Sequence, residues 1–118
     1  MRIIILSLAL LAAALHPDAA SAHAHLDHAV PAVGSTVTAA PPDLTVWFTQ
    51  NLEPAFSTVQ VTDANGARVD DGAAAIADNT MHIGLKPLNA GTYKVHWHAV
   101  SVDTHSTEGD FTFTVGGQ

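Results

Sequence analysis

The chain contains no cysteine, so no disulfide can stabilise its fold, which must rely on packing and on any ligand it binds. It also has few basic residues, four Lys and Arg against eleven Asp and Glu, giving a formal net charge of −7 at pH 7. Such a surface repels phosphate groups, and we therefore expect no nucleic-acid partner. Methionine is scarce as well, with Met1 and Met81 the two present.

No apolar run at the N-terminus is long enough for a permanent membrane helix, because the run that follows Arg2 ends near Leu15. The motif Ala20-Ser21-Ala22 follows this run and is a small-x-small cleavage signal. We therefore predict a secretory signal peptide at residues 1–22 and a single exported domain at residues 23–118. The alternative interpretation of the first segment is an N-terminal anchor.

Alternation of apolar and polar residues runs through most of the exported part and predicts β-strands covered on one face. The candidate strands, separated by turn signals, are 44–50, 57–62, 80–85, 92–100 and 109–115, with weaker candidates between them. No helical period appears. The pattern predicts an all-β fold, a Greek-key antiparallel β-sandwich or barrel. Asn51–Phe56 interrupts it with a proline, so a loop or a crossing between sheets is expected there, and Phe48 and Trp97 are predicted core residues.

Histidine is abundant for so small a domain, since seven of the eight follow residue 22. Cleavage after Ala22 would make His23 the first residue. The α-amine and Nδ1 of a first-residue histidine can chelate one metal ion, and a third ligand then completes a T-shaped set that suits Cu(II). An α-amine has a pKa near about 8 and so gives up its proton for a metal more readily than a lysine does.

Two alternatives for this segment remain open. Cleavage after Ala24 instead of Ala22 would make His25 the first residue. If His23 is first, His25 stands third, where a histidine can bind Cu(II) or Ni(II) through the amine, two deprotonated backbone amides and its imidazole. Otherwise His25 and His28 are polar residues on the exposed face of a first strand, which is the interpretation that we prefer for His28.

A second candidate half-site is Asp103-Thr104-His105, between the two strongest strand patterns. Two-residue spacing in an extended chain directs both side chains to one face. Combined with the amine and imidazole of His23, the pair would supply three nitrogens and one oxygen to a square Cu(II). The nearby His96 and His98 are interpreted as strand-face residues.

The order of these motifs resembles that of the CopC copper-resistance family. The matching pieces are His23–Leu26, Pro31–Ser35, Phe48–Leu52 and Gly91–His105. The resemblance implies a small periplasmic copper-binding protein with a cupredoxin- or immunoglobulin-like β-barrel. It further implies one Cu(II) ion held by His23 with its amine, Asp103 and His105, and we add His25 as an accessory candidate.

The chain departs from the family pattern in its methionines. Some members of the family carry a methionine-rich loop that binds Cu(I), whereas the exported part of this chain has Met81 alone, and we expect no separate Cu(I) site. The predicted function is that of a monomeric periplasmic copper carrier or buffer, not an enzyme, serving an inner-membrane copper transporter. The alternatives are a copper-dependent monooxygenase and a metal-free immunoglobulin-like interaction module.

Overall fold

The computed structural model describes residues 23–117, and the predicted signal peptide at residues 1–22 lies outside them. This part of the chain forms eight β-strands: β1 Leu26–Val30, β2 Thr36–Val37, β3 Asp43–Phe48, β4 Thr58–Thr62, β5 Ala75–Ala77, β6 Thr80–Gly84, β7 Gly91–Val100 and β8 Ser106–Val115. Within the same residues, no helix is long and apolar enough to span a membrane.

The strands make two four-stranded sheets, one in the order β1-β3-β6-β5 and the other in the order β2-β8-β7-β4. The predicted all-β sandwich is confirmed. All pairs are antiparallel except β2 with β8, which is a short parallel pair. The chain passes from the first sheet at β3 to the second at β4, so the crossing predicted at Asn51–Phe56 is also confirmed.

The core lies between the two sheets and is filled by the alternate residues of each strand. Leu44 and Val46 are fully buried on β3, as are Val95 and Phe113 in the opposite sheet. The two predicted core aromatics meet edge to face, with the ring centroids of Phe48 and Trp97 5.1 Å apart. This arrangement is the favourable one for aromatic pairs, because the positive ring edge faces the negative ring face.

One end of the sandwich carries the connection between β7 and β8, residues 101–105, and we call it the hairpin end. The same end receives the loop after β3, because Glu53 donates its backbone N–H to the carbonyl of Val100 at 2.8 Å. The turn between β5 and β6 lies there too, since Leu52 N–H donates to the carbonyl of Asp78. The loop after β3 is therefore bonded both to the turn between β5 and β6 and to the residues 101–105, through Val102 N–H and the carbonyl of Asn51.

The end of the sandwich opposite the hairpin end is stabilised by the hydrogen bonds of a buried carboxylate. Asp70 has a fully buried side chain that accepts from the guanidinium of Arg68 at 2.8 and 3.1 Å, and from the backbone N–H groups of Val61 and Gly72 at 2.7 and 2.8 Å. Burial alone would raise the pKa of Asp70, but these hydrogen bonds outweigh it and the pKa is lowered. The carboxylate thus joins β4 to the segment that follows it.

We expect Asp70→Ala to lower the free energy of unfolding by about 2–4 kcal/mol, because it leaves two backbone N–H groups without their acceptor. Since the pKa of Asp70 is lower in the folded state, its contribution is present above the ordinary carboxylate value, about 4, and is lost as pH falls further. Urea unfolding at pH 7 and at pH 3 measures both effects. Asp78→Asn is a suitable control, because Asp78 is exposed, whereas Asp63 is half-buried and its carboxylate accepts hydrogen bonds within a turn. An equal deficit at both pH values would contradict this account.

Candidate metal centre

The segment that carries Asp103 and His105 is a tight turn. Ser101 N–H donates to the carbonyl of His105 at 2.9 Å, and Thr104 N–H donates back to the carbonyl of Ser101 at 2.8 Å. Thr104 has a φ of +75°, in the left-handed region. The extended conformation predicted for Asp103–His105 is therefore wrong. The pairing of Val100 with Ser106 leaves five residues to reverse the chain, and a turn is required.

The turn nevertheless brings the two side chains together. His105 Nδ1 lies 3.3 Å from Asp103 Oδ1, and the backbone N–H of His105 points to the same oxygen at 3.4 Å. Two ligands at right angles on one ion, each bonded at about 2 Å, would be about 3 Å apart. The imidazole and the carboxylate are thus spaced as neighbouring ligands of a single ion would be.

Ser101 lies beneath this pair and is 1% exposed. Its hydroxyl donates a short hydrogen bond to Asp103 Oδ1 and also lies 3.2 Å from the carbonyl of His105. This hydroxyl, followed by the contacts with His105, lowers the pKa of Asp103 below its ordinary value. Asp103 is therefore kept as a carboxylate, the form that binds metal, and is fixed in position by a buried group.

The N-terminal arm, residues 23–25, is fastened to the sandwich at its middle residue. Ala24 has no exposed surface and belongs to the core. Its carbonyl accepts from the hydroxyl of Thr107 on β8 at 2.6 Å. Thr49 hydrogen-bonds the backbone of His25 on both sides, accepting from its N–H at 2.9 Å through Oγ1 and donating its own N–H to the His25 carbonyl at 2.9 Å.

This arm places His23 beside His105. The centroids of the two imidazole rings are 4.8 Å apart, with the planes inclined by 38°. His25 is farther out, with its ring centroid 6.1 Å from that of His23 and its side chain exposed. The structure therefore brings His105 into contact with both His23 and Asp103 at the hairpin end, with His25 at the margin of these contacts.

Among residues 23–117, no three side chains of His, Asp or Glu form a group that could hold a metal ion. The contacts at the hairpin end are pairwise, His23 with His105 and His105 with Asp103. One donor of the predicted set is also chemically absent in the uncleaved chain, because the backbone nitrogen of His23 is an amide bonded to Ala22. The imidazoles and the carboxylate fit a copper ion in type, and His105 and Asp103 fit it in spacing, while the amine requires cleavage.

The hydrogen bonds of the arm discriminate between the two N-terminal copper modes. The amide mode needs the backbone nitrogen of His25 deprotonated and bound to metal. That N–H is instead donated to Thr49 Oγ1, and the buried side chain of Ala24 holds the preceding residue in place. The amide mode would have to break this attachment, whereas a site that uses His23 and His105 would not.

The remaining histidines lie on strand faces. His28 stacks on Trp47 with ring centroids 4.3 Å apart and contacts Asp27 at 2.7 Å. On β7, His96 Nδ1 lies 2.7 Å from Asp110, and His98 is opposite Glu108 in the register. A further pair joins His82 to Asp43 at 3.3 Å.

Three residues that support the candidate ligands were not predicted from the sequence: Thr49, Ser101 and Thr107. Ser101 has a local signal, because it precedes Asp103 by two residues in the Val-Ser-x-Asp-Thr-His motif. Thr107 and Thr49 have no such local signal, because their hydrogen-bond partners, the Ala24 carbonyl and the His25 N–H, are 83 and 24 residues away in the sequence.

We expect Ser101→Ala to weaken Cu(II) binding by about tenfold, because groups that orient a metal ligand typically contribute this much. The pKa of Asp103 should rise toward its ordinary value as the hydrogen bond is lost. Copper titration and carboxyl NMR shifts against pH measure the two effects. Ser106→Ala, an exposed hydroxyl next to the same turn, is the matched control and should leave both unchanged. An unchanged Asp103 titration in Ser101→Ala would contradict the assignment.

Comparison with known proteins gives a consistent result. The CopC domain family matches residues 26–116. Protein YobA of Escherichia coli K12 is 37% identical over 113 residues, which cover 92% of this chain and 91% of that protein. Copper transport protein CutJ of Bacillus subtilis is 31% identical over 104 residues, covering 85% of this chain but 19% of that protein. The crystal structure of PcoC, a methionine-rich copper resistance protein from E. coli, has a TM-score of 0.69 and 39% identity, covering 80% of this chain and 99% of that one.

Proposed function

The chain belongs to the CopC family of copper resistance and copper transport proteins, and from this we propose that it is an exported Cu(II) carrier or buffer with an N-terminal histidine brace. The ligands would be the α-amine and imidazole of His23, the imidazole of His105 and the carboxylate of Asp103. One copper ion would occupy the site, with His25 as an accessory group at its margin.

The observation that carries this proposal is the meeting of His23 with His105, whose ring centroids are 4.8 Å apart. Their residues are 82 positions apart in the sequence, so the fold must bring them together. It does so through an arm whose middle residue is buried and whose backbone is bonded to β8 and to Thr49, just after β3. Two imidazoles, an amine and an oxygen are the ligand set that tetragonal Cu(II) prefers.

We propose no separate Cu(I) site. Thioethers are the soft ligands that favour Cu(I), and PcoC is described as methionine-rich. Met81 is the single methionine of residues 23–117 and has no exposed surface, because it packs in the core on β6. Its sulfur is therefore not available to a metal at the surface, which supports a carrier of the divalent ion alone.

The proposed setting is the periplasm, with an inner-membrane copper transporter as the partner and the protein as a monomer. CutJ supports the choice of partner, because the region similar to this chain makes up a fifth of a protein named for copper transport. The signal peptide predicted at residues 1–22 supplies the export and exposes the amine of His23.

The test begins with the intact mass of the exported protein, which identifies the first residue. A mass starting at His23 is expected, and the same sample should then bind one Cu(II) with an electron paramagnetic resonance spectrum of nitrogen-rich tetragonal coordination. Acidification should release the ion as the amine and imidazoles take up protons. A mass starting at His25, or retention of the signal segment, would contradict the brace.

A further inference from the structure

The hairpin end, which carries the proposed copper ligands, exposes two large apolar side chains. Phe56 is 64% exposed and Val102 is 55% exposed. Val102 directly precedes Asp103 in the turn. Phe56 belongs to a turn in which its N–H donates to the carbonyl of Glu53, and Glu53 in turn donates to Val100 at 2.8 Å. Both side chains are therefore carried by backbone that is fixed to the end of β7.

The two lysines lie away from this end. Residues 23–117 contain three basic residues, Arg68, Lys86 and Lys94. Lys94 pairs with Thr62 at the end of β4 that is remote from the residues 101–105, and Lys86 lies two residues beyond β6, near the same end. Arg68 also bridges Thr62 through its backbone, but it lines a cavity together with Pro54 and Ser57, and its charge is paired with that of the buried Asp70. The charge of the two lysines is thus concentrated opposite the hairpin end.

The loops at the hairpin end carry only negative formal charge among the described residues. Glu53 lies in the loop after β3, Asp78 in the turn between β5 and β6, and Asp103 in the turn after β7. Asp78 is exposed, and its carbonyl accepts from Leu52 N–H, which places it beside the loop that contains Glu53. The surface around the proposed copper ligands is therefore acidic at its edge and apolar at Phe56 and Val102.

We propose that this surface, which we call the acidic–apolar face and define by Glu53, Phe56, Asp78 and Val102, docks a copper-accepting protein with a basic rim. The copper-transfer role rests on the proposed function. Interfaces combine an apolar centre with a polar rim, and opposite charges accelerate encounter and orient the partners. Docking here would bring the acceptor to the ion held by Asp103 and His105. An anionic membrane surface is disfavoured, because it would be repelled by the same carboxylates.

The face is tested first without metal, by fluorescence anisotropy with two labelled synthetic peptides, one of lysine and leucine and one of glutamate and leucine. We expect the mature domain to bind the lysine–leucine peptide at least about tenfold more tightly at low salt, with the difference falling as salt is raised. Phe56→Ser should weaken this binding several-fold. Val33→Ser is the matched control, because Val33 is 52% exposed near the end remote from the turn at 101–105, and it should have no effect.

Copper transfer is tested with two acceptor peptides, in which the lysine–leucine or the glutamate–leucine sequence follows an N-terminal Gly-Gly-His segment. This segment gives both acceptors an identical Cu(II) site. We expect the loaded domain to give copper to the lysine–leucine acceptor about tenfold faster, and Phe56→Ser to remove much of this advantage without changing Cu(II) affinity. Equal rates for both acceptors, or equal effects of Phe56→Ser and Val33→Ser, would overturn the proposal. So would Phe56-dependent binding to vesicles of anionic lipid. A failure to load copper would refute the proposed function, while the metal-free peptide result would still decide the face.

Discussion

Adding one alanine before His23 in the exported protein is expected to weaken Cu(II) binding at least about 1000-fold, or about 4 kcal/mol. The added residue turns the nitrogen of His23 into an amide and moves the free amine one residue away from the imidazole. The chelate ring between amine and Nδ1 is then lost. The rest of the site should be unchanged, because Ala24 remains buried and its carbonyl remains bonded to Thr107. Competitive titration against a chelator of known affinity measures the loss.

The matched control is the same extension on a His23→Ala protein. The extension is expected to act by removing the amine from the chelate ring that the amine forms with the His23 imidazole. Once that imidazole is absent, the added alanine should weaken Cu(II) binding only slightly, so the effects of the added alanine and of His23→Ala should be strongly non-additive. Circular dichroism and thermal unfolding should show the same fold in all four proteins. A loss of similar size on both backgrounds, or full affinity in the extended protein, would exclude the brace.

The two-sheet core follows closely from the sequence, because alternation reports directly which side of a strand is buried. Leu44, Val46 and Phe48 were expected on one face of β3, and all three are buried. Strand ends were less accurate: the run expected to reach Gln50 ends at Phe48, and the chain bends at Thr49. Thr49 there bonds the backbone of His25 in the N-terminal arm, a contact that no local pattern encodes.

The candidate site could be predicted only in part, for a related reason. Residue types identified Asp103, His105 and His23, since carboxylates and imidazoles are recognisable metal ligands wherever they stand. Their arrangement depends on the left-handed conformation of Thr104 and on a hydrogen bond from Thr107 to a carbonyl 83 residues away. A period of two residues along a strand carries no information about either. The position of each candidate ligand is therefore a property of the assembled sandwich.

Replacing His105 with alanine is expected to weaken Cu(II) binding by about 100-fold or more, whereas His25→Ala should change it by less than about threefold. His105 stands beside both other proposed ligands, 4.8 Å from His23 between ring centroids and 3.3 Å from Asp103 between Nδ1 and Oδ1. The His25 ring lies farther from that of His23, at 6.1 Å, and its backbone N–H is already bonded to Thr49. Isothermal titration of the two variants side by side gives the ranking.

The ranking decides between the two copper modes, because they use different histidines with the same amine. In the amide mode the third residue supplies the imidazole and its own deprotonated nitrogen, so His25→Ala would be the damaging change and His105→Ala nearly neutral. His98→Ala controls for the general loss of a histidine, since His98 lies on the outward face of β7 opposite Glu108. Thr49→Val refines the test, because it removes the acceptor of the His25 N–H and should make the amide mode easier to reach. The readout is the visible absorption band of Cu(II) bound by four nitrogens. If this band appears in Thr49→Val but not in the parent protein, the hydrogen bonds of the arm select the brace. The same band in the parent protein would show that they do not.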